Sequence, residues 1–437
     1  MKVLKFGGTS VGSAQRIKNV AKLINDNDTK IVVLSAMSGT TNTLVEIAKY
    51  LQKNNAEGAN VTISALKHKY YTIIDELFTS EEFKQTATIQ IKEIFQSLAH
   101  LTKEKFDGKI TKLILSQGEL ISTALMTLHL QELGVNVQQI PALEFMKTTD
   151  NGEPDTTFIK ENLEKILDST PKADIYITQG FICRNEAAEV DNLERGGSDY
   201  SASLIGAAIQ ADEIQIWTDI DGMHNNDPRV VDNTTPVREL HFDEAAELAY
   251  FGAKILHPTC ILPAQLNNIP VRLLNTMEPD APGTLICNKM NRGLIKAVAA
   301  KDGITAIKIK SGRMLMAYGF LSRVFEIFEK YQTSIDMITT SEIGVSLTIE
   351  DTKYLSEILN DLTVFSTVTV DTGMVIICVV GDLDWYNVGF ESKVVSALHD
   401  VPVRMISYGG SNHNISFLVS ATDKQAALKA LSKNLFN

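Results

Sequence analysis

Short apolar runs alternate with amphipathic stretches along roughly the first 275 residues of the chain. The runs that predict buried strands are residues 2–6, 30–35, 112–116, 135–140, 174–178, 213–218 and 270–274. Apolar residues spaced three and four apart predict helices most clearly at 119–133, 198–210 and 243–256. This alternation indicates an α/β fold, a three-layer αβα domain with a mainly parallel sheet. Sheets of this kind bind ligands at the carboxyl ends of their strands.

The pattern changes after about residue 293, where shorter strands alternate with short helices. The predicted elements are strand 304–310, helix 320–331, strands 333–338 and 343–349, helix 353–361 and strand 364–370, then strand 374–380, helix 387–398, strands 402–407 and 414–419, and helix 422–433. Two successive βαββαβ-like units are typical of ferredoxin-like α+β folds. Two other segments interrupt the first part: residues 52–107 predict an inserted helical excursion, and the proline-containing stretch 277–283 predicts a linker or domain edge.

The first predicted strand runs directly into Gly7 and Gly8. Glycines at such a turn let the backbone approach a ligand closely, and we expect Ser10 to cap the helix that follows. The free N–H groups of a helix start and the ammonium of Lys5 together favour a phosphate group. A Gly-Gly turn before a helix is usually only a turn, so the prediction of a phosphate site depends on the motifs further along the chain.

Hydroxyl groups and a glycine follow the second predicted strand, at residues 35–42. They form either a helix-capping loop or a polar cup for a small substrate. Glu119 follows Gly118 after the run 112–116, and we expect it in the first turn of a helix. A carboxylate is favoured there by the helix dipole in any case, and the functional alternative is that Glu119 receives a substrate ammonium.

Arg195 stands immediately before Gly196 and Gly197, at the start of a helix of small residues. Arginine can hold a carboxylate or phosphate through two parallel hydrogen bonds. Ser198 and Asp199 can simply cap the helix, which explains those two residues but not the arginine or the doubled glycine.

The strand at 213–218 leads into a long polar loop, the kind of segment in which binding residues concentrate. The strand brings Asp219 into this loop, which also contains a second basic residue, Arg229, whereas a lone His224 is more often a surface residue. The acidic residues of this loop lack the spacing of a calcium-binding EF-hand loop. Lys254, at the end of a predicted helix, either interacts with the helix dipole or contacts phosphate.

The amino-acid composition of the chain limits the classes of binding partner that we expect. The formal net charge of −12 argues against nucleic acid and anionic membranes, so any anion site must be built locally. The cysteines, Cys183, Cys260, Cys287 and Cys378, are scattered without metal-binding spacing and predict reduced thiols in a cytoplasmic protein. No apolar run approaches about 18 residues, and the first strand begins by residue 3, so we expect neither a transmembrane helix nor a targeting segment.

Taken together, these motifs resemble the aspartate kinase (aspartokinase) family. The matching segments are KFGGTSV at 5–11, VVLSAMSGTTN at 32–42, the segment 118–123, RGGSDYSA at 195–202, the segment 217–229, FGAKILHP at 251–258, ITTSE at 338–342 and SYGGSNHNISFLV at 407–419. The resemblance covers essentially the whole chain. It implies an amino-acid-kinase domain at 1–290, a first regulatory ACT unit at 304–371, and a second built from 293–303 with 372–437.

The resemblance also implies roles for individual residues. The kinase would use ATP and Mg²⁺ to phosphorylate the side-chain carboxylate of L-aspartate, with no metal held by protein ligands alone. Catalytic roles would belong to Lys5, Gly8, Asp199 and Lys254; aspartate contacts to Ser35, Thr41, Glu119, Arg195, Gly196, Gly197 and Ser198; and nucleotide contacts to Lys5, Gly7, Gly8, Thr9, Ser10, Thr218, Asp219, His224, Arg229, Lys254 and Ile255. The family commonly has tyrosine where this chain has His224, so this chain departs from the pattern at one implied nucleotide contact.

The C-terminal part resembles lysine-inhibited members, with threonine as the alternative effector. The implied effector contacts are Met314, Ala317, Phe320, Leu321, Ser334, Ile335, Asp336, Ser341 and Glu342, with Ala317 where lysine-binding relatives have serine. The implied enzyme is a cytoplasmic homodimer or homotetramer joined through its ACT units, at the entry to lysine, threonine and methionine biosynthesis. Two alternatives remain, namely a non-catalytic amino-acid sensor and another amino-acid kinase such as an acetylglutamate kinase.

Overall fold

The computed structural model describes residues 1–26, 28–193, 196–252, 256–310, 319–341 and 343–436. Its contacts divide the chain into two compact units. The first unit comprises the described residues within 1–223, 238–242 and 256–288, and the second comprises those within 224–237, 243–255 and 289–437.

The elements up to residue 288 alternate between strands and helices. The strands are β1 (Lys2–Phe6), β2 (Lys30–Leu34), β3 (Val137–Gln139), β4 (Ile175–Gln179), β5 (Ile182–Arg184), β6 (Val190–Asn192), β7 (Ile214–Thr218), β8 (Glu239–His241), β9 (Val271–Asn275) and β10 (Thr284–Cys287). The helices are α1 (Ala14–Ile24), α2 (Thr40–Gln52), α3 (Ala56–Leu77), α4 (Glu81–Leu101), α5 (Gly108–Glu132), α6 (Ala142–Phe145), α7 (Thr156–Ser169), α8 (Gly197–Ile209), α9 (Phe242–Tyr250) and α10 (Pro258–Leu266).

Eight of these strands form one sheet in the order β3-β4-β2-β1-β7-β9-β10-β8. The first six are parallel, and β10 turns back antiparallel to β9. Side chains of α1 to α5 pack with Leu4, Phe6 and Val32 in one buried core. Because successive strand residues point to opposite faces, Val3 and Ile31 lie on the other face, and α8 contacts that part of the sheet. The predicted α/β architecture is confirmed.

The segment 112–116 is a correction, because it belongs to α5 and is not a strand. An apolar run such as Leu113 to Leu115 is equally compatible with a buried helix, and here it continues the helix that begins at Gly108. Glu119 therefore lies in the middle of α5 and not in a first turn. By length and composition α5 could cross a membrane, but 83% of its most apolar window is buried inside the structure, where it serves as a core helix.

Two smaller expectations also need correction. The side chain of Ser13, not Ser10, caps α1 by accepting a hydrogen bond from the N–H of Arg16. The stretch 277–283 is not a domain edge, since it connects β9 to β10 within one sheet. Prolines and a glycine mark a chain reversal equally well in both situations.

The second unit contains a six-stranded antiparallel sheet in the order β12-β13-β11-β14-β16-β15. Its elements are β11 (Ile295–Lys310), α11 (Phe320–Lys330), β12 (Ile338–Ser341), β13 (Gly344–Ile349), α12 (Leu355–Thr363), β14 (Thr367–Gly381), α13 (Phe390–Ala397), β15 (Val403–Ser407), β16 (Asn414–Ser420), a 3₁₀ turn at Ala421–Asp423 and α14 (Lys424–Leu435). The strands predicted at 364–370 and 374–380 are one long strand, and residues 333–337 precede β12 without being a strand.

The two longest strands of this sheet, β11 and β14, pair with each other along most of their length. Their register shifts between Lys301 and Ile304, which marks a bulge. On one side of the bulge β11 also pairs with β13, and on the other side β14 also pairs with β16. Two separate apolar cores result, one around Phe328 and Leu347 and one around Phe417 and Leu431.

Candidate active site

Four parallel strands bring the candidate residues to one edge of the sheet. Loops leave the carboxyl ends of β1, β2, β4 and β7, which are neighbours in the order β4-β2-β1-β7. These loops carry Gly7 to Ser10, Ser35 to Gly39 with Thr41 in the first turn of α2, Gly180 with Phe181, and Asp219 after Thr218. Because parallel strands end on the same side of a sheet, segments far apart in sequence meet there.

The glycine turn after β1 is fixed by its neighbours. The N–H of Gly7 donates to the carbonyl of Trp217 at 3.2 Å, and the N–H of Ser38 donates to the carbonyl of Gly8 at 3.0 Å. A Cβ at Gly8 would come within 2.7 Å of the carbonyl oxygen of Ala36, so this close approach requires glycine. The first two loops are thereby held together as one wall.

A cavity of about 380 Å³ opens against this wall. It is lined by Gly8, Thr9, Ser35, Ala36, Met37, Ser38, Gly39, Thr41, Glu119, Phe181, Gly197 and Ser198. The residues that line this cavity include members of three motifs that the sequence analysis treated as candidates for aspartate binding. The size of the cavity and its hydroxyl groups fit a small polar ligand.

Glu119 is the only carboxylate among these lining residues, and it is 5% exposed. Its Oε1 accepts a hydrogen bond from the N–H of Ala36 at 3.0 Å. Burial raises the pKa of Glu119 to about 7, and the hydrogen bond from Ala36 opposes that rise. Within the described part of the chain no cation pairs with this carboxylate, so a ligand ammonium would find an acceptor of opposite charge.

The opposite wall consists of Ser198 and the residues that surround it. The hydroxyl of Ser35 donates to that of Ser198 at 2.8 Å. Phe181 has a φ of 67°, a left-handed conformation that is strained for a bulky residue. Its N–H donates to the hydroxyl of Ser201 at 2.9 Å, which holds the strained backbone in place. Sequence reasoning missed Phe181, because no local pattern announces a positive φ at phenylalanine.

Lys5 and Asp199 form an ion pair with 2.6 Å between Nζ and Oδ1. Their side chains are 11% and 16% exposed. Asp199 belongs to the first turn of α8, and Lys5 to β1, so the pair joins the helix start to the glycine turn. A Cβ at Gly7 would lie 3.6 Å from the lysine nitrogen, and the glycine therefore leaves space beside the ammonium.

The remaining predicted nucleotide contacts have varied surroundings. The hydroxyl of Thr218 donates to Asp219 Oδ1 at 3.1 Å, beside the glycine turn. Ser10 is buried, and its hydroxyl lies 2.7 Å from that of Thr276, so its side chain supports the loop from behind. In the second unit, the guanidinium of Arg229 donates two hydrogen bonds to the carboxylate of Asp227, each 2.9 Å long.

Comparison with known proteins identifies the family. Residues 1–275 match the model of the amino acid kinase family, and residues 377–435 match an ACT domain. The lysine-sensitive aspartokinase 3 of Escherichia coli is 34% identical over 447 residues, with 99% of each chain covered. The chain belongs to the aspartokinase family. The crystal structure of E. coli aspartokinase III with aspartate and ADP, called the R-state, superposes with a TM-score of 0.85 at 34% identity and full coverage of both chains. The T-state complex with lysine and aspartate gives a TM-score of 0.81 at 35% identity, again over both full chains.

Several residues that the aspartokinase resemblance singles out lie outside the described residues. They are Arg195, Lys254, Ile255, Met314, Ala317 and Glu342. Their roles remain predictions. His224 is described, and its Nδ1 lies 2.9 Å from the hydroxyl of Thr234, within the second unit.

The described effector candidates of the aspartokinase pattern differ in exposure. Phe320 is buried in the core around Phe328, Ile335 is half-buried, and Leu321, Ser334 and Ser341 are exposed. The side chain of Asp336 is 3% exposed and pairs with Lys301 at 2.7 Å. Sequence reasoning selected Asp336 but gave no indication of Lys301.

Proposed function

We propose that this chain transfers the γ-phosphoryl group of ATP to the side-chain carboxylate of L-aspartate and forms 4-phospho-L-aspartate. The observation that carries the proposal is the buried Glu119 carboxylate, which faces a small polar cavity beside the Lys5–Asp199 pair. Glu119 would bind the substrate ammonium. Arg195 would bind the α-carboxylate, and Ser35, Thr41 and Ser198 would complete the aspartate site together with the backbone of Gly196 and Gly197.

The chemistry needs little from the protein beyond positioning and charge. The attacking group is a carboxylate, which is already ionised at neutral pH, so no general base is required. Two anions must be brought into line, and the negative charge that spreads over the transferring group must be stabilised. The ammonium of Lys5 would do this, with Lys254 as a second cation. Asp199 would hold Lys5 in position through its ion pair.

The nucleotide would occupy the neighbouring loops. The backbone of Gly7, Gly8 and Thr9 would approach the phosphates, and Thr218 and Asp219 would lie beside them, with Ser10 in support. His224, Arg229 and Ile255 complete the predicted nucleotide contacts. Helix starts and glycine turns offer unpaired N–H groups of the kind that bind phosphate.

Mg²⁺ fits this site only as a partner of the nucleotide. Within the described residues of the first unit, no three side chains of the metal-ligating types converge on one point. Mg²⁺ usually keeps several waters and binds through one or two carboxylates and the substrate phosphates, where it neutralises phosphate charge. Asp219, which is exposed and directly follows β7, would supply such a carboxylate.

We also propose inhibition by L-lysine, which is the ligand of the E. coli T-state structure. The predicted division into a kinase domain at 1–290 and ACT units at 304–371 and at 293–303 with 372–437 belongs to the same proposal. The proposed enzyme is a cytoplasmic homodimer or homotetramer joined through the ACT units. Exposed residues on β12, an edge strand of the six-stranded sheet, support the proposed association. The product would enter lysine, threonine and methionine biosynthesis.

The test is to trap the acyl phosphate with hydroxylamine in the presence of ATP, Mg²⁺ and one acceptor. We expect hydroxamate from L-aspartate and none from N-acetylglutamate, and we expect L-lysine to reduce it. Product that responds to threonine alone would replace the proposed effector. Product from N-acetylglutamate alone, or no product from folded protein, would overturn the proposal in favour of another amino-acid kinase or a sensor.

A further inference from the structure

Lys301 and Asp336 form an ion pair that is nearly buried in the second unit. The lysine nitrogen lies 2.7 Å from Asp336 Oδ1, and the side chains are 14% and 3% exposed. Tyr250, the last residue of α9, donates its hydroxyl to the same oxygen at 3.1 Å. The ammonium of Lys301 also lies over the Tyr250 ring, 4.5 Å from its centre. Oδ1 of Asp336 thus contacts two donors, the Lys301 ammonium and the Tyr250 hydroxyl, and both belong to the second unit.

The other oxygen of Asp336 is not used. Oδ2 is buried and accepts no hydrogen bond from the described residues. Buried carboxylate oxygens without a donor are unusual, because the lost hydration is not replaced. Asp336 therefore retains capacity for one more donor in a place that water does not reach.

Lys301 has a second carboxylate within reach. Its nitrogen lies 3.0 Å from Glu350 Oε2, and the Glu350 side chain is 61% exposed. The ammonium could therefore leave Asp336 without losing every partner. Lys301 contacts both carboxylates at the same time, so Glu350 is a partner that it would keep after leaving Asp336.

We propose that Lys301 is an internal competitor for an incoming ammonium, and that effector lysine binds by displacing it from Asp336 towards Glu350. This inference rests on the proposed regulation by L-lysine and adds how that site works. The side chain of free lysine carries the same ammonium group as Lys301. The displaced pair keeps the charges balanced, because each carboxylate then holds one ammonium.

The displacement has a direct connection to α9. Removing Lys301 from Asp336 also withdraws the cation from the Tyr250 ring. Two residues further on, Gly252 adopts a φ of 117° and packs so closely on Ala300, the neighbour of Lys301, that a Cβ would overlap the Ala300 carbonyl oxygen. The segment 250–252 is therefore attached to β11 at two adjacent positions.

The experiment measures L-lysine binding to the full chain by isothermal titration calorimetry, which does not depend on activity. In Lys301→Met the competitor is absent, and we expect the Kd to fall about tenfold, as when a competing state is removed from an equilibrium. In Glu350→Gln the displaced lysine has no second partner, and we expect the Kd to rise severalfold. Lys424→Met, which breaks the exposed pair of Lys424 with Asp302, is the matched control and should leave the Kd unchanged.

The proposal predicts a lower Kd in Lys301→Met and a higher Kd in Glu350→Gln, and these opposite changes make the test decisive. An unchanged or higher Kd in Lys301→Met, or a lower Kd in Glu350→Gln, would overturn the competition while leaving lysine inhibition itself intact. Wild-type protein that binds no lysine would overturn both this inference and the proposed effector. Glu350 is exposed, so its variant keeps the test valid if Lys301→Met does not fold.

Discussion

Each unit of the molecule contains a lysine–aspartate pair that is largely hidden from water, and the two pairs have opposite surroundings. Lys5 and Asp199 stand at a glycine turn, where the small residue leaves space beside the ammonium. Lys301 and Asp336 are surrounded by a tyrosine ring and a second carboxylate. In the second pair, Oδ1 of Asp336 is shared by the lysine nitrogen and the Tyr250 hydroxyl, and the buried Oδ2 accepts no hydrogen bond from the described residues.

This contrast shows that burial of an ion pair does not define its role. Buried pairs contribute little net stability, because desolvation of both charges opposes their attraction. What distinguishes the two pairs is their surroundings: the first lysine lies beside a glycine, and the second lies between a tyrosine ring and a second carboxylate. A cation with space beside it suits an anionic transition state, and a carboxylate with a spare oxygen suits a cationic ligand.

The largest expected effect comes from removing the first cation. We expect Lys5→Met to lower kcat by about 10³-fold, the loss typical of one group that stabilises developing charge. Lys2→Met is the control, since Lys2 lies on the same strand in an exposed pair with Asp28. Steady-state rates with saturating aspartate and ATP measure the effect, and near-normal turnover in Lys5→Met would contradict the assigned role.

A backbone change next to the second pair should affect stability instead. In Gly252→Ala the new methyl group would overlap the Ala300 carbonyl at a left-handed φ, and we expect a loss of about 3 kcal/mol in the free energy of unfolding. Gly303→Ala has a φ of 78° but no atom within 4 Å, so it should lose only about 1 kcal/mol. Thermal melting compares the two, and equal losses would show that the contact with Ala300 contributes nothing.

The substrate ammonium provides a third test. Glu119→Gln preserves the acceptor for the Ala36 N–H but removes the charge, and we expect the KM for aspartate to rise about 10- to 100-fold with kcat less affected. Glu132→Gln on the same helix is the control. Its carboxylate accepts hydrogen bonds from the N–H groups of Thr79 and Ser80, so it should lower stability and leave the KM unchanged. A KM that rises equally in both variants would remove Glu119 from the substrate site.

The smallest effect is a pH dependence. Burial raises the pKa of Glu119 from 4.5 to about 7, and only the ionised form attracts an ammonium. The KM for aspartate should therefore be about tenfold higher at pH 6 than at pH 8. Because the folded-state pKa is raised, the protonated group stabilises the ligand-free protein below pH 4.5, and this contribution is lost as the pH rises through about 7. Glu119→Gln should show neither dependence, and a flat KM in the wild type would refute the raised pKa.

The sequence was most informative where parallel strands end. Motifs after β1, β2 and β7 could be assigned to one site because strand ends of a parallel sheet meet by geometry. Glu119 was selected as a candidate and lines the cavity, although its surrounding element was wrong, since an apolar run without polar interruptions does not distinguish a strand from a buried helix. The prediction for Glu119 depended on the type of residue and not on the secondary structure predicted around it.

Other features depend on contacts that no local pattern contains. Lys301 and Asp336 are 35 positions apart and meet only in the folded unit, where the residues before β12 pair with β13 and β13 pairs with β11. The strained φ of Phe181 is likewise imposed by its neighbours, against the preference of the residue itself. Effects of this kind depend on residues that are distant in the sequence, so they can be recognised only in the folded structure.

The long strands β11 and β14 have a practical consequence for protein engineering. Each passes through the bulge region and contributes backbone hydrogen bonds to both halves of the six-stranded sheet. A chimera that joins one half of this sheet to the other half from a relative would have to cut through both strands. Exchange of effector specificity between relatives should therefore succeed with whole segments that begin before Ile295 and extend beyond Gly381, or with single side chains, but not with half-sheets.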